Sequence, residues 1–335
     1  MATNRRANAV NFGFDFQTNA AIILMLDNIE CLSSLRLEGN YEDIELSLVD
    51  GECIFAQAKA IEKSSSDFRN VRHNLKDALL TLSEAASKKK AKQLVFITNS
   101  PNPIKEDASR SIFYGLSRRP FSSLPSSSQK IISDFTNTID VPLDLNRFLI
   151  QVVPFETDDE RERYKVIKQE IDDFIGNLNL DIPGIGKKLL CIWQNSIFHN
   201  ASKKDSSILL SKKDLIWPLI AISTDIERLG ELPEIVDGAL YDEVLRKYNA
   251  LINTWTDRFE LYTSILYSFT SFNYDQDKYK NKIIAFISEK YMDYLPEFEI
   301  KNEDKEVQEA LVKIVLYAVL NGRFSIQKIK NGTNL

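Results

Sequence analysis

At 335 residues, 44% of them hydrophobic and 27% charged, the chain exceeds one ordinary core and suits two domains of a folded protein. No apolar run approaches the roughly 18 residues of a membrane span. The net charge of −6 excludes a uniformly basic nucleic-acid binder; residues 1–155 are charge-balanced, so any such contact needs a local patch, and the acidic remainder is expected to meet protein.

Arg5 and Arg6 precede residues that alternate polar and apolar, unlike a signal peptide. Phe12–Ile29 reads as an opening turn at Gly13, followed from Phe16 by a heavily buried helix. Three strands follow, near Ser34–Leu37, Asp43–Leu48 and Cys53–Ala60. Ser64–Ser66 and Asp67 are helix N-cap candidates. Phe68, Val71, Leu75, Leu79, Leu82 and Ala86 then recur at helical steps, and Gln93–Thr98 is a short strand stopped by Asn99–Pro103. Ser122–Ser128 reads as a loop, Gln129–Asn137 as a helix and Phe148–Phe155 as a further strand. Beyond Glu156 the patterns are helical, at Asp159–Leu178, Lys187–Phe198, Ser211–Ser223, Ala239–Phe272, Lys278–Tyr294 and Lys305–Leu320. The order predicts an α/β domain over 1–155 and a helical domain over 156–335. Cys31, Cys53 and Cys191 form no CxxC pair, and His73 and His199 are the only histidines; reduced thiols in a cytoplasmic protein fit better than a disulfide framework or a zinc site.

The stretch Leu35–Ala60 carries the chemistry, and strand register decides whether its polar groups meet. A two-residue loop at Asp50–Gly51 sets Asp43 opposite Ala58. A three-residue loop, with Gly51 left-handed, pairs Leu48 with Glu52 and sets Asp43 opposite Gln57. Only the second gathers Ile44, Leu46, Leu48, Ile54, Ala56 and Ala58 on one face, so the apolar pattern selects it. Asp43, Gln57 and Lys59 then share the other face. A carboxylate and an amide oxygen suit a hard divalent cation, and a nearby lysine suits developing negative charge or an attacking water. A carboxylate beside an ammonium is also an ordinary surface pair.

Helix, three-strand meander, helix and strand, with Asp43 and then Gln57-Ala58-Lys59, resembles the PD-(D/E)xK nuclease superfamily in its variant with Gln in the third strand. FGFDFQ, EDIEL and the QAK end resemble the N-terminal double-stranded DNA endonuclease domain of bacterial anti-phage effectors. These include the CD-NTase-associated nuclease and the nuclease subunit of Lamassu-type systems. The resemblance covers roughly residues 10–100. It implies a restriction-endonuclease-like αβββαβ core, which the helical patterns beyond Glu156 follow with an all-α domain, and Mg²⁺- or Mn²⁺-dependent cleavage of double-stranded DNA. By family role Asp43 is a metal ligand, Gln57 takes the second motif position and Lys59 is the catalytic lysine, with Gln17 supporting. Because Gln57 is neutral, a further carboxylate is needed, and Glu38, Glu42 and Glu45 compete for that place. The second half does not resemble the cyclic-nucleotide sensor of the CD-NTase-associated enzyme. Restraint by a partner such as an SMC-like ATPase, and self-assembly into a homo-oligomer, are the implied alternatives to a nucleotide trigger. A rival reading is a non-catalytic DNA-binding or scaffold subunit that keeps the fold.

Arg69, Arg72 and Lys76 form one polar stripe of the helix after the meander, either solvated or set to hold phosphates. Ile182–Leu189, IPGIGKKL, resembles the hairpin of helix–hairpin–helix DNA-binding modules, and a plain Pro-Gly turn explains it equally well. Trp193, Trp217, Trp255 and the aromatic run Phe259–Tyr279 read as core or subunit interface.

Overall fold

The computed structural model describes residues 4–180, 182, 184–224, 235–256, 258–276, 278, 281–298, 300 and 303–335. The chain forms two compact units. The first takes the residues up to Asn177 together with Gly186–Leu215 and Asn334, and the second takes Leu178–Ile185, Ile216–Thr333 and Leu335. The sequence boundary at residue 155 thus differs from the first unit's extent, because later segments return to the sheet.

The first unit begins with helix α1 (Asn4–Asp27), which runs through Gly13 without the expected turn. Phe12 and Phe16, one helical turn apart, both pack on Phe155 with ring centroids 5.5 Å away. That contact outweighs the roughly 1 kcal/mol a helical glycine costs relative to alanine. The meander follows as β1 (Leu32–Leu37), β2 (Ile44–Leu48) and β3 (Cys53–Lys59), all antiparallel. Helix α2 (Val71–Lys88) leads into β4 (Ala91–Thr98), which lies parallel to β3. The proposed serine caps serve elsewhere: Ser64 and Ser65 donate to the Glu156 carboxylate, and α2 starts after Asn70 with no side-chain cap.

A short helix α3 (Asp107–Arg110), strand β5 (Ser117–Pro120), helix α4 (Ser126–Thr136) and strand β6 (Phe148–Val152) continue the unit. Part of the expected loop Ser122–Ser128 is therefore the start of α4. Helices α5 (Glu160–Arg163), α6 (Lys165–Asn177) and α7 (Ile185–Ala201) precede a two-residue strand β7 (Leu210–Ser211). The result is a mixed seven-stranded sheet ordered β5-β6-β4-β3-β2-β1-β7. One face packs Phe55, Leu94, Phe96 and Phe148 against Leu75, Leu79, Leu82 of α2 and Ile132 of α4. Strand alternation turns Ile44, Leu46, Ile54 and Ala56 to the opposite face, where α1 packs.

From Ile216 onward, among the described residues, the chain is helical, as the sequence predicts. After α8 (Lys212–Ser223), the single expected helix over 239–272 is divided into α9 (Gly238–Thr256) and α10 (Phe259–Ser271), with Arg258 at the N-cap of the second and residue 257 outside the described residues. Helix α11 (Lys282–Tyr294) packs beside α12 (Lys305–Thr333), which runs 13 residues beyond the expected end at Leu320. Phe286 is ringed by Phe269, Phe272 and Tyr294, and Trp217 meets Tyr262 edge-on at 5.8 Å. Trp193, in the first unit, is wholly buried and donates to the Leu215 carbonyl at 2.7 Å. These aromatics fill cores; the Trp255 side chain lies outside the described residues. No helix among the described residues is long and apolar enough to cross a membrane.

Candidate active site

The site forms where the β2–β3 ladder stops. The register Ile44↔Ala56, Leu46↔Ile54 continues to Leu48 opposite Glu52, whose amide–carbonyl bond closes the loop at 2.9 Å. Gly51 has φ +82° and its amide returns to the Leu48 carbonyl at 3.1 Å. This is the three-residue loop that the apolar pattern selects. At the other end a longer β2 would pair Glu42 with Ala58. Instead the chain peels away, and the Glu42 carbonyl takes the Gly39 amide at 3.1 Å. The Ala58 amide is thereby released, and it donates to Asp43 Oδ2 at 2.9 Å. A buried amide needs an acceptor, and here a carboxylate takes the place of a ladder carbonyl.

Around Asp43 the structure collects most of the residues singled out from sequence. Gln57, 5% exposed, donates Nε2 to Asp43 Oδ2 and accepts at Oε1 from the Thr81 hydroxyl of α2 at 2.8 Å. Gln17 of α1 stands within hydrogen-bonding reach of both Asp43 and Glu38. Lys59 is close enough to exert its charge on Asp43 and Glu42. Burial pushes the Asp43 carboxyl above its ordinary range, against the Ala58 amide and Lys59. Glu38 is raised by desolvation and then by the Asp43 charge. Glu42, 6% exposed, is pushed up to about 8, chiefly by burial, with Asp43 adding to it and Thr81 and Lys59 opposing. Its Oε1 is buried without a hydrogen-bond partner. Glu38 also holds a left-handed backbone at φ +51°, a strained conformation for a residue with a side chain.

Two sets of predicted residues are placed differently. Glu45 lies on the Asp43 face of β2, but its carboxylate accepts the amides of Tyr41 at 2.5 Å and Glu42 at 3.1 Å, making it a brace for the β1–β2 turn. Gly39 leaves the room: a Cβ there would stand 2.3 Å from Glu45 Cδ. The basic stripe does not converge on the site either. Arg69 pairs with Asp67 at 2.7 Å, Arg72 donates to the carbonyls of Ile104 and Lys105, and Lys76 is exposed. Thr81, which touches Gln57, and Arg72 lie about 180° apart around α2 at roughly 100° per residue.

Among the described residues no three His, Cys, Asp or Glu side chains stand close enough to hold a metal ion on their own. A hard cation here would therefore rely on Asp43 with Glu42 or Glu38, an amide oxygen and water. The donor set is all oxygen, desolvated and short of positive charge, and the orphaned Glu42 Oε1 is an open ligand position, so the residues fit such an ion. Thr81 was not foreseen; a threonine inside an amphipathic helix carries no signal until the rotation of α2 over β3 is known. In the IPGIGKKL segment Gly184 has φ +73° and α7 starts at Ile185, while Pro183 lies outside the described residues. The Asp172 carboxylate packs directly against Gly186, an unfavourable neighbour for a phosphate. Compared with protein-family models, curated proteins and solved structures, the chain matches none.

Proposed function

We propose that the chain is a Mg²⁺-dependent endonuclease acting on double-stranded DNA through a restriction-endonuclease-like core in its first unit. The observation that carries this reading is the gathering of Asp43, Glu42, Glu38, Gln57 and Lys59 where the ladder ends, with all three carboxyls held above their ordinary range. Such a cluster is relieved by a proton or a cation, and at neutral pH a divalent ion is the stronger competitor. Asp43 and Glu42 would hold the ion with Gln57 Oε1; when bound, it polarises a phosphodiester and acidifies water. Lys59, beside both carboxylates, is positioned to stabilise charge on the phosphate oxygens or to orient the attacking water. Gln17 fixes Asp43 and Glu38 relative to each other, and the Thr81 hydroxyl, which donates to Gln57 Oε1, would accept from Nε2 once the amide turns its oxygen to the ion.

By resemblance, the enzyme is the effector of a bacterial anti-phage system, restrained by a partner such as an SMC-like ATPase or by its assembly state. A duplex-cutting enzyme needs such restraint in its host. One observation favours a second reading, a non-catalytic DNA-binding or scaffold subunit: Gln57 Nε2 donates to Asp43, satisfying the pair without a cation. Metal use requires the amide to turn so that its oxygen faces the same side as the carboxylate. Supercoiled plasmid with Mg²⁺ decides between the two. Cleavage that disappears in Asp43→Ala and Lys59→Ala supports the enzyme. Duplex binding without cleavage, in every partner-bound or assembly state, supports the scaffold.

A further inference from the structure

The first unit contains a second built feature, on the far side of β1. Arg36, one residue from the end of that strand, is 2% exposed and spends its guanidinium on one loop. Its Nη1 donates to the Asn200 carbonyl at 2.5 Å, to Asn200 Oδ1 at 3.1 Å and to the Ile208 carbonyl at 3.1 Å, and its Nη2 donates to the Lys203 carbonyl at 3.0 Å. Asn200 Nδ2 closes the loop on Ile208 O at 2.8 Å, and β7 then pairs Leu210 with Leu35 and Ser211 with Ser34. The loop tip is tied to the β1–β2 turn by Ser206, whose hydroxyl donates to Asn40 Oδ1 at 2.7 Å. Asn40 lies two residues from Glu38.

Burying an arginine to shape backbone carbonyls costs desolvation that a plain solvated connection does not require. What the shaped loop presents is Lys203 and Lys204, both exposed, and neither makes an ion pair among the described residues. The adjacent Asp205 accepts from the Ser207 amide at 2.9 Å and hydroxyl at 2.6 Å, so its charge is engaged locally. The carboxylate cluster repels a phosphodiester, and lysines on a loop tied to the neighbouring β1–β2 turn are what would bring one in.

We propose that residues 200–208 form a phosphate-gripping arm, shaped by Arg36, in which Lys203 and Lys204 hold the backbone of duplex DNA beside the carboxylate site. This rests on the nuclease reading above. It offers a duplex contact on the side of the β1–β2 turn, which the α2 stripe does not face. Contacts of this kind fix the duplex without reading its bases, so the arm predicts sequence-tolerant binding.

The test measures anisotropy of a short fluorescent duplex with the full chain, in Ca²⁺ to suppress cleavage, over a salt series. Lys203→Gln/Lys204→Gln is expected to lose up to about 60-fold in affinity near 0.1 M salt, and its log K against log[salt] line to be shallower by about 1.8. Lys130→Gln on α4, an exposed lysine far along the chain, is expected to change neither. An unchanged affinity and slope in the double variant, while the wild type binds duplex, overturns the arm and leaves the nuclease reading standing. A loss of affinity without a change in slope also overturns it, since phosphate contact must appear in the salt dependence. A wild type that binds no duplex at any salt overturns both.

Discussion

The β2–β3 hairpin has an aspartate at each end, and the two are in opposite circumstances. Asp50, in the closed end, is exposed, accepts the Glu52 amide at 3.0 Å and faces Lys92 at 3.4 Å. The Glu52 amide holds its carboxyl below the ordinary range. Asp43, at the open end, also accepts a backbone amide and also has a lysine nearby, yet burial raises it. The partners are alike; the difference is desolvation. A lowered carboxylate is already satisfied and serves the turn. A raised one, beside a second that titrates near 8, is an unmet demand for positive charge.

The largest expected effect separates the two ends by activity. Asp43→Ala and Lys59→Ala each lower the rate of plasmid cleavage by at least about 10²-fold, the scale for removing one charge-stabilising group, whereas Asp50→Ala stays within about twofold. Equal damage at both ends would break the comparison.

Next in size is pH. Glu42 is protonated in the folded chain up to about 8 and ionised in the unfolded chain above its ordinary value. The native state therefore binds more protons between these limits, and stability falls as pH rises from 5 to 8. Thermal midpoints are expected to drop by several degrees over that range, and Glu42→Gln to remove most of the drop. Mg²⁺ should restore the midpoint at pH 8 far more than at pH 5, because at low pH protons already occupy the cluster; a Mg²⁺ effect independent of pH would contradict this.

Gly51→Ala comes third. Its left-handed backbone makes any side chain cost about 1 kcal/mol. Urea midpoints should shift accordingly while cleavage per folded molecule is kept. Smallest is Asp50→Asn. Its lowered carboxyl contributes stability above the ordinary carboxylate range that is lost as pH falls, so the variant should be marginally less stable at pH 7, with the difference closing as acid protonates the folded wild type.

The hairpin register was readable because a period-two pattern allows one loop length in which both apolar sets share a face, and the paired strands keep that register. Gln17 and Glu38 also stand beside Asp43. Parity alone misled for Glu45: the residue faces the right side, but the space over Gly39 sends its carboxylate to the turn amides. The α2 stripe stands away from the site for a related reason, since periodicity finds the wet side of a helix without telling which flank of the sheet it overlooks. Strand β7 is only two residues long and β5 reads as Ser117-Arg118-Arg119-Pro120, so neither carries an alternating pattern; both exist because the sheet already present offers them backbone partners.

Those two short strands are also the margins of the sheet. One is a single dipeptide; the other ends in a proline with no amide to offer, and its Arg118 and Arg119 are drawn into bonds with Asp27, Gln93 and the Ile112 carbonyl. A margin of that kind cannot template a strand from another molecule. Copies of the chain that crowd together are thereby protected from fusing sheet to sheet into aggregates, and any ordered self-assembly has to be made through helices or loops.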